Sequence, residues 1–589
     1  MKLGIHIGHD ATACLISDKV IAIAEERVTR MKNYTGFPFQ AISECLKIKK
    51  ATFAEIDEVI IAGTSLKDLK SYRPAIYFDK VNADFSNEVP AHIRLKAVKA
   101  FFNSETLGER VEKYLKESGF NGKISYIDHH LAHVASSYAT YPFENTVMLS
   151  LDGGGDGINW SLYEKDGSEF KLLASAANVN GVVHDSPADV YANATKLLGF
   201  KRNRHEGKLT GLAARGVPVA LDYFRQLVRF EEGQFVCRLP YASNSVCDKL
   251  SRYSRFLSKG IIYHTKMIDD MQQSLSWVKR EDIACSLQKW FEEIVLEFVS
   301  YYANKFKLKG RKILLSGGAF ANVLLNQRIR DLGLFESVSV VPNMGDGGLA
   351  LGAAYYALDS DSRNKLFKSV QKNVYYGPEY SEAEINDAIK DAGLEAVSLG
   401  DMAPAIAADA LNKQYIIGLF NKGMEYGPRA LGARSILANP KDNTINESIN
   451  KRLNRTEFMP FAPFILNEDA DRCLLNFDSN QYTADFMTIT YDVKSIMKEK
   501  APAVVHVDGT ARPQIVCREE NSLYYDILKS FRDLTGIPTL VNTSFNSHEE
   551  PIVMSPQDAI NSYKTGTVDI LMLGDKAIMS KEIKKDLGI

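Results

Sequence analysis

Residues 128–133 read Asp-His-His-Leu-Ala-His, and His129 and His133 are four apart. On a helix that spacing puts both rings on one face. Two imidazoles so placed are the usual local half of a transition-metal site, with carboxylates supplying the rest. Asp152 in LDGGGD and Asp346 in NMGDGG are the best-placed donors, because an aspartate in a rigid glycine turn has little freedom left to lose on binding. The alternative is a solvated histidine cluster at a helix start. His130 points elsewhere at helical spacing and reads as structural.

Two stretches of the first half are built alike to carry such residues. Leu3 to Ile7, the turn Gly8-His9-Asp10 and a second strand form one; Val147 to Leu151, the turn 152–156 and Trp160 to Tyr163 form the other. Each is a hairpin signal, and the repetition suggests two similar lobes whose turns face one cleft, against the alternative of two unrelated hairpins. Ile313-Leu314-Leu315, then Ser316-Gly317-Gly318, then a helix from Asn322 to Ile329 make a strand, glycine turn and helix. Backbone amides at such a turn suit a phosphate, a ribose or an adenine edge. The stretch 281–307 has apolar residues at helical spacing and no glycine or proline, so it is a packed amphipathic helix with core aromatics.

A polar run at about 358–374 marks a domain boundary, so the chain reads as a domain over 1–358 and a second over 375–589. The second mixes strands (YIIGLF, FMTITYDV, ILMLGD) with helices such as 383–392, an α/β or α+β pattern. A length of 589 residues fits two domains, and 45% hydrophobic with 24% charged residues is ordinary globular composition. The net charge of −2 and the lack of a dense basic patch argue against nucleic acid. Seven cysteines without a CxxC pair point to a reducing compartment, and no signal-like or membrane-length apolar run is seen, so a cytoplasmic protein is expected.

The ordered motifs GHDATACLI (8–16), AEERVTRMKNYTGFP (24–38), HHLAH (129–133), LDGGGD (151–156), EGKLTGLAARG (206–216), SGGAFANVLLN (316–326) and NMGDGGLALGAA (343–354) carry a resemblance that continues into the second half. There GMEYGPRALGARSILA (423–438), FMPFAP (458–463), HVDGTARPQ (506–514) and NTSFN (542–546) extend it. Together they resemble the O-carbamoyltransferase family of the nodulation-protein and tobramycin-carbamoylating type. The resemblance implies an actin-like, duplicated-lobe α/β domain followed by a YrdC-like α/β domain. It implies that the second domain makes carbamoyl-adenylate from carbamoyl phosphate and ATP with Mg2+, and that the first transfers the carbamoyl group to an alcohol beside an iron ion. Carried over by motif, iron(II) or another divalent transition metal has the ligands His129, His133, Asp152 and Asp346, the base is His9, and carbamoyl-adenylate meets Lys32, Gly317, Gly318 and Asn322.

These types suit the chemistry. An imidazole with an ordinary pKa of about 6.5 can take the proton of a poorly nucleophilic alcohol. In the second domain crowded phosphates need fixed positive charge, for which Arg429, Arg434 and Arg512 are candidates, with Asn542 and Ser544 as neutral donors and His506 and Asp508 as supports. A surface ion pair is the alternative for each arginine. Where many relatives have KxRExFRPFAP this chain reads LNRTEFMPFAP, so Leu453 and Met459 occupy positions that are often Lys and Arg, and part of the carbamoyl-phosphate contact differs or is supplied by Lys451, Arg452 or Arg455. The last motif also ends EEPIV rather than GEPIV.

Rival readings keep the fold but make it a kinase or a tRNA threonylcarbamoyl transferase, or a non-catalytic, metal-stabilised binding protein. The histidine pair and second domain argue against a kinase, the absence of a basic stripe against tRNA, and His9 together with the arginines against a binding protein. The acceptor is expected to be a hydroxyl of a small molecule or glycan, its pocket shaped by segments 66–110 and 219–278. A membrane or nucleic-acid partner is not expected, and a homodimer is allowed.

Overall fold

Each of the two glycine turns read from the sequence joins a strand to its antiparallel partner. A computed structural model of the chain describes residues 1–68, 106–167, 169–176, 185–239, 267–453, 461–478, 482 and 484–589. Lys2–His6 pairs antiparallel with Thr12–Ile16 and, on its other side, parallel with Glu58–Ala62, which pairs parallel with Lys123–Ile127. Thr146–Gly155 pairs antiparallel with Ile158–Asp166 and parallel with Lys312–Ser316, which pairs parallel with Ser337–Val340. A central strand with its hairpin partner on one flank and two parallel strands on the other is thus built twice. This is a duplicated-lobe, actin-like α/β arrangement.

The central strands are buried almost throughout, as parallel pairing with helices on the sheet requires. Arg280–Lys305 is the long helix read from its periodicity, and Trp290, Phe291, Phe298 and Tyr302 on its buried face join the core, with Phe298 edge-on to Trp160 at a 5.0 Å centroid distance. Two shorter helices, His129–Thr140 and Leu349–Tyr356, pack at close range. A Cβ on Gly352 would lie 1.8 Å from the Ala132 carbonyl oxygen, and one on Gly4 would lie 2.0 Å from that of Ala350. Glycine at these two positions lets the helices and the first strand approach backbone to backbone.

Residues Met1–Val20 and Asn33–Val370 form one compact unit, and Ile21–Lys32 with Gln371–Ile589 form the second. The division near 370 falls within the polar run. Assigning all of 1–358 to the first domain is corrected by residues 21–32, whose partners lie in the second. The physical reason is an anchoring set of hydrogen bonds made by Arg27 and Arg30 with carbonyls more than 390 residues away in sequence.

The second unit is built on an eight-stranded mixed sheet in the order Val397–Ser398, Lys576–Ile578, Ile570–Leu573, Ile417–Phe420, Arg434–Ala438, Thr539–Ser544, Ala462–Leu466 and Gln514–Val516. The strands at 417–420 and 570–573 and the helix Glu382–Asp391 match their sequence patterns. FMTITYDV does not: only Tyr491–Asp492 is extended, and Met487 takes a left-handed φ of 57° that breaks a strand. Arg455 and Met459, and much of segments 66–110 and 219–278, lie outside the described residues. Among the described residues no helix is long and apolar enough to cross a membrane.

Gly352→Ala tests the close helix contact. Overpacking costs about 1–3 kcal/mol, so the first unit's thermal midpoint is expected to fall by roughly 2–12 °C. An unchanged midpoint in calorimetry would show that the two helices separate freely.

Candidate functional site

Asp128 caps the helix that carries the histidine pair, accepting from Leu131 N at 2.9 Å, so His129 and His133 stand in its first turns with ring centroids 4.9 Å apart. Asp152 leaves the central strand of the second sheet where the pairing register shifts between Leu151 and Gly155, an irregularity that frees its side chain from the ladder. Asp346 begins the short helical turn Asp346–Gly348 ahead of the Leu349–Tyr356 helix. One ligand atom from each of His129, His133, Asp152 and Asp346 lies within 4.8 Å of all the others.

The donor set has the marks of a cation site. His129 Nε2 and His133 Nε2 are buried and make no hydrogen bond, although carboxylate oxygens approach: Asp152 Oδ2 and Asp346 Oδ1 stand 3.2 and 3.5 Å from His133 Nε2, and Asp346 Oδ1 stands 3.5 Å from His129 Nε2. These contacts are close enough for electrostatics but poorly directed for a proton, as expected when lone pairs converge on a common point. Gly155 is required beside them, since a Cβ there would lie 2.2 Å from the His129 ring. His130 is apart, with Nδ1 2.9 Å from Ser150 Oγ and Nε2 3.1 Å from the Ile158 carbonyl, the structural role expected of it.

His9 lies in the first glycine turn, half exposed, with Nε2 3.2 Å from Asp346 Oδ2 and Nδ1 3.1 Å from Asp10 Oδ2. Burial works against charge on the ring, but Asp346, Asp10 and Asp152 outweigh it and lift its pKa to about 10. Burial likewise opposes charge on His133, yet Asp152 and Asp346 raise it to about 9. Asp346 is held well below the usual carboxylate range, because His9 and His129 overcome the upward push of burial. A divalent cation held by these carboxylates would act in the opposite sense on His9, toward the neutral form that accepts a proton.

His6 is a member that the sequence reading missed. It is buried at the end of the first strand, its Nε2 donates to the His9 carbonyl oxygen at 2.9 Å, and burial pushes its pKa down to about 4. An isolated histidine in an apolar strand carries no spacing signal, which is why it escaped notice.

The glycine turn at 316–318 has a different job from the one expected. Gly317 N donates to Met344 O at 2.7 Å and Gly318 N to Asp152 Oδ2 at 3.1 Å, so both amides are spent inside the protein and one of them aims a metal-site carboxylate. Asn322 caps the next helix, accepting from Leu325 N at 3.1 Å, and pairs with Gln288 through its amide nitrogen at 2.9 Å. Lys32 is exposed and closes the 21–32 segment of the second unit.

In the second unit the three candidate arginines separate. Arg434 is fully buried and donates to the carbonyls of Met554, Asn421, Lys422, Ala433 and Pro378, with its guanidinium 3.6 Å from the Phe420 ring centroid. Those bonds commit every guanidinium nitrogen, so Arg434 is a structural clamp and the expectation that it binds phosphate is corrected. Arg429 and Arg512 behave differently. Burial pulls Arg429 down to about 10; burial and the charge of Arg429 push Arg512 well down. Among the described residues neither makes an ion pair, and Arg429 Nε is buried without a hydrogen bond. Two partly desolvated cations whose charges oppose each other call for an anion.

The loop bearing Arg429 is fixed by a side chain that the sequence reading passed over. Glu425 is buried, and its Oε1 accepts from Leu431 N, Ala433 N and Arg434 N at 2.8, 2.7 and 3.0 Å. Asn542 serves the same loop, donating to Ala430 O and Gln514 Oε1 at 3.0 Å each, while its Oδ1 is buried and unbonded. Ser544 lies two residues on in the same strand. His506 and Asp508 close the turn before Arg512: His506 Nδ1 is 3.0 Å from Thr510 Oγ1, and Asp508 Oδ1 accepts from Thr510 N and Oγ1. Burial, against Asp508 and with Arg512, pushes His506 down to about 4. Where this chain has Glu549 in place of the glycine of GEPIV, the residue sits at φ 61°, a left-handed conformation that glycine adopts freely and another residue at a cost of about 1–2 kcal/mol.

Two variants probe the metal centre. His133→Ala is expected to lose most of its bound metal because a ligand is gone, and Gly155→Ala to lose it with all four ligands present because His129 is displaced. Elemental analysis after dialysis against iron(II) is the measurement; metal content equal to wild type in both would remove the proposed ligand set.

Residues 1–355 match the family model described as carbamoyltransferase N-terminus, and residues 408–580 match the one described as carbamoyltransferase C-terminus. The chain is 32% identical over 595 residues to an uncharacterized protein of Methanocaldococcus jannaschii, covering 98% of this chain and 99% of that one. It is 30% identical to nodulation protein NolNO of Sinorhizobium fredii, over 97% of this chain and 79% of the relative, and 28% identical to nodulation protein U of the same organism, over 92% and 93%. Among solved structures, full-length HypF in the phosphate- and nucleotide-bound form is 14% identical, with a TM-score of 0.29 over 60% of this chain and 46% of that one. Component A of Acidaminococcus fermentans (R)-2-hydroxyglutaryl-CoA dehydratase gives 13% and 0.30 over 60% and 96%. These overlays are too loose to bear on the site. With family models spanning both halves and near-full-length relatives, the chain belongs to the carbamoyltransferase family and is a transferase.

Proposed function

We propose that this transferase is an ATP-dependent O-carbamoyltransferase that activates a carbamoyl group in its second unit and hands it to an alcohol in its first. The observation that carries the activation half is the Arg429–Arg512 pair, two half-buried arginines that make no ion pair among the described residues. Such a pair suits the phosphates of carbamoyl phosphate and of ATP, whose mutual repulsion needs fixed positive charge. Counting atoms, carbamoyl phosphate, ATP and one water give carbamoyl-adenylate, phosphate and pyrophosphate. Asn542 and Ser544 stand in the strand beside the Arg429 loop, and His506 and Asp508 set the turn that presents Arg512.

Transfer is the work of the first unit. The alcohol oxygen attacks the carbamoyl carbon, the bond from that carbon to the adenylate oxygen breaks, AMP leaves, and the alcohol proton passes to His9 Nε2. Asp10, whose Oδ2 lies 3.1 Å from Nδ1, accepts from that nitrogen and orients the ring, and Asp346, 3.2 Å from Nε2, stabilises the imidazolium that forms. His129, His133, Asp152 and Asp346 would hold a divalent transition metal, iron(II) by family resemblance, which supplies Lewis acidity toward a carbamoyl or phosphate oxygen. The acceptor class is a small-molecule or glycan hydroxyl in a cytoplasmic setting. Domain ranges near 1–358 and 375–589, less residues 21–32, then correspond to transfer and activation.

Division of labour gives the test. His9→Ala is expected to abolish carbamoylation of the alcohol, followed by mass spectrometry, and to leave carbamoyl-phosphate-dependent pyrophosphate release within about 2-fold of wild type; losing the base alone removes about 10²–10⁴-fold. A kinase would form ADP without pyrophosphate, and loss of both activities in a variant with an unchanged circular dichroism spectrum would place His9 in activation.

A further inference from the structure

The segment Ile21–Lys32 sits in sequence between two motifs of the first unit, yet its contacts are those of the second. Its short helix, Glu25–Thr29, carries Arg27 and is closed by Arg30 in a left-handed cap, and both side chains reach backbone carbonyls. Arg27 Nη2 donates to Gly427 O at 3.0 Å. Arg30 Nη1 donates to Ile552 O and Nη2 to Pro551 O, both at 2.8 Å, and its Nε stands 3.6 Å from the Asp558 carboxylate. Val28, between them, packs against a small cluster of Met424, Ala430, Ile552 and Met554. Ala22 N adds a bond to Tyr376 O at 3.0 Å.

The carbonyls that receive these bonds belong to two particular loops. Gly427 is two residues before Arg429 and opens the stretch that Glu425 grips at residues 431–434. Pro551 and Ile552 close the excursion that starts after Ser544; Val553 N brings it back to Phe545 O at 3.0 Å, and His548 N ties it to Leu453 O at 2.8 Å. The planar guanidinium of Arg30 spans two consecutive carbonyls, a geometry that an ammonium cannot copy in full. The arginine loop and the NTSFN loop are therefore joined through one segment that comes from the other end of the chain.

We propose that Arg27 and Arg30 are positioning residues of the activation site, setting the Arg429 loop and the 545–553 loop in register with each other. This rests on the reading that activation occurs in the second unit. Neither residue is assigned contact with a substrate; they act by fixing backbone to which substrate-binding side chains are attached, where a displacement of about 1 Å is worth on the order of 100-fold in rate.

The test uses the full-length protein. Arg30→Ala is expected to lower kcat for carbamoyl-phosphate-dependent pyrophosphate release by about 10- to 100-fold, with a smaller change in KM for ATP, and Arg30→Lys to recover part of the loss. Hydrogen exchange measured on the same proteins should quicken at residues 427–434 and 545–553 in Arg30→Ala and stay as in wild type along Thr146–Gly155. Unchanged kcat in a variant that merely melts earlier would overturn the proposal, and so would unchanged exchange in both loops. Quickened exchange supports the brace even if wild-type protein releases no pyrophosphate, an outcome that would remove the activation reading instead.

Discussion

Like charges brought together out of water are the constraint around which both halves of the molecule are arranged. In the first unit Asp152 and Asp346 converge on one small volume; in the second Arg429 lies near enough to Arg512 for its charge to disfavour that of Arg512. An uncompensated buried charge costs several kcal/mol, of order 3–5 when one partner of a pair is missing; the acids are met by His9 and His133, whereas the arginines make no ion pair among the described residues. The surrounding structure has to hold each pair in place until an ion of opposite sign arrives. Backbone-to-backbone helix contact at Gly352 and the bond from Gly318 to Asp152 do this for the acids. Glu425, Asn542 and Gln514 do it for the arginine loop.

This arrangement divides binding from rigidity. His6, Glu425, Arg434 and Asn322 carry as much polar character as the residues they support, but their hydrogen bonds run to backbone and, for Asn322, also to the Gln288 side chain. Within the two sites His129, His133 and Arg429 keep a buried polar atom without a hydrogen bond, and so do the supporting His6 and Glu425, through Nδ1 and Oε2. A satisfied polar group stiffens the loop it serves.

Much of the first unit was legible in the sequence. The i, i+4 spacing of His129 and His133, the two glycine turns and the strand pattern at 313–315 are local signals, as is that at 417–420 in the second unit, and local geometry decided them. The direction of an amide is not local. Gly317 and Gly318 look like a phosphate cradle in one dimension, and only the position of Asp152 and Met344 in space turns them inward. Arg429, Arg434 and Arg512 likewise look equivalent until Phe420 and a ring of carbonyls claim Arg434. FMTITYDV has strand composition, but one left-handed residue at Met487 breaks the extension.

The placement of residues 21–32 also bears on how the protein is made. Their partners begin at Gln371, so on the ribosome this segment emerges about 340 residues ahead of the unit it completes. At about 5–20 residues per second that interval is roughly 20–70 s. Over this time Arg27, Arg30 and Val28 are synthesised without the carbonyls and apolar side chains they will meet. Strands on either side of the segment, Lys2–His6 and Glu58–Ala62, can pair well before then. The nascent chain therefore carries a short strip of unmatched guanidinium and apolar side chains until the last third of the chain is translated.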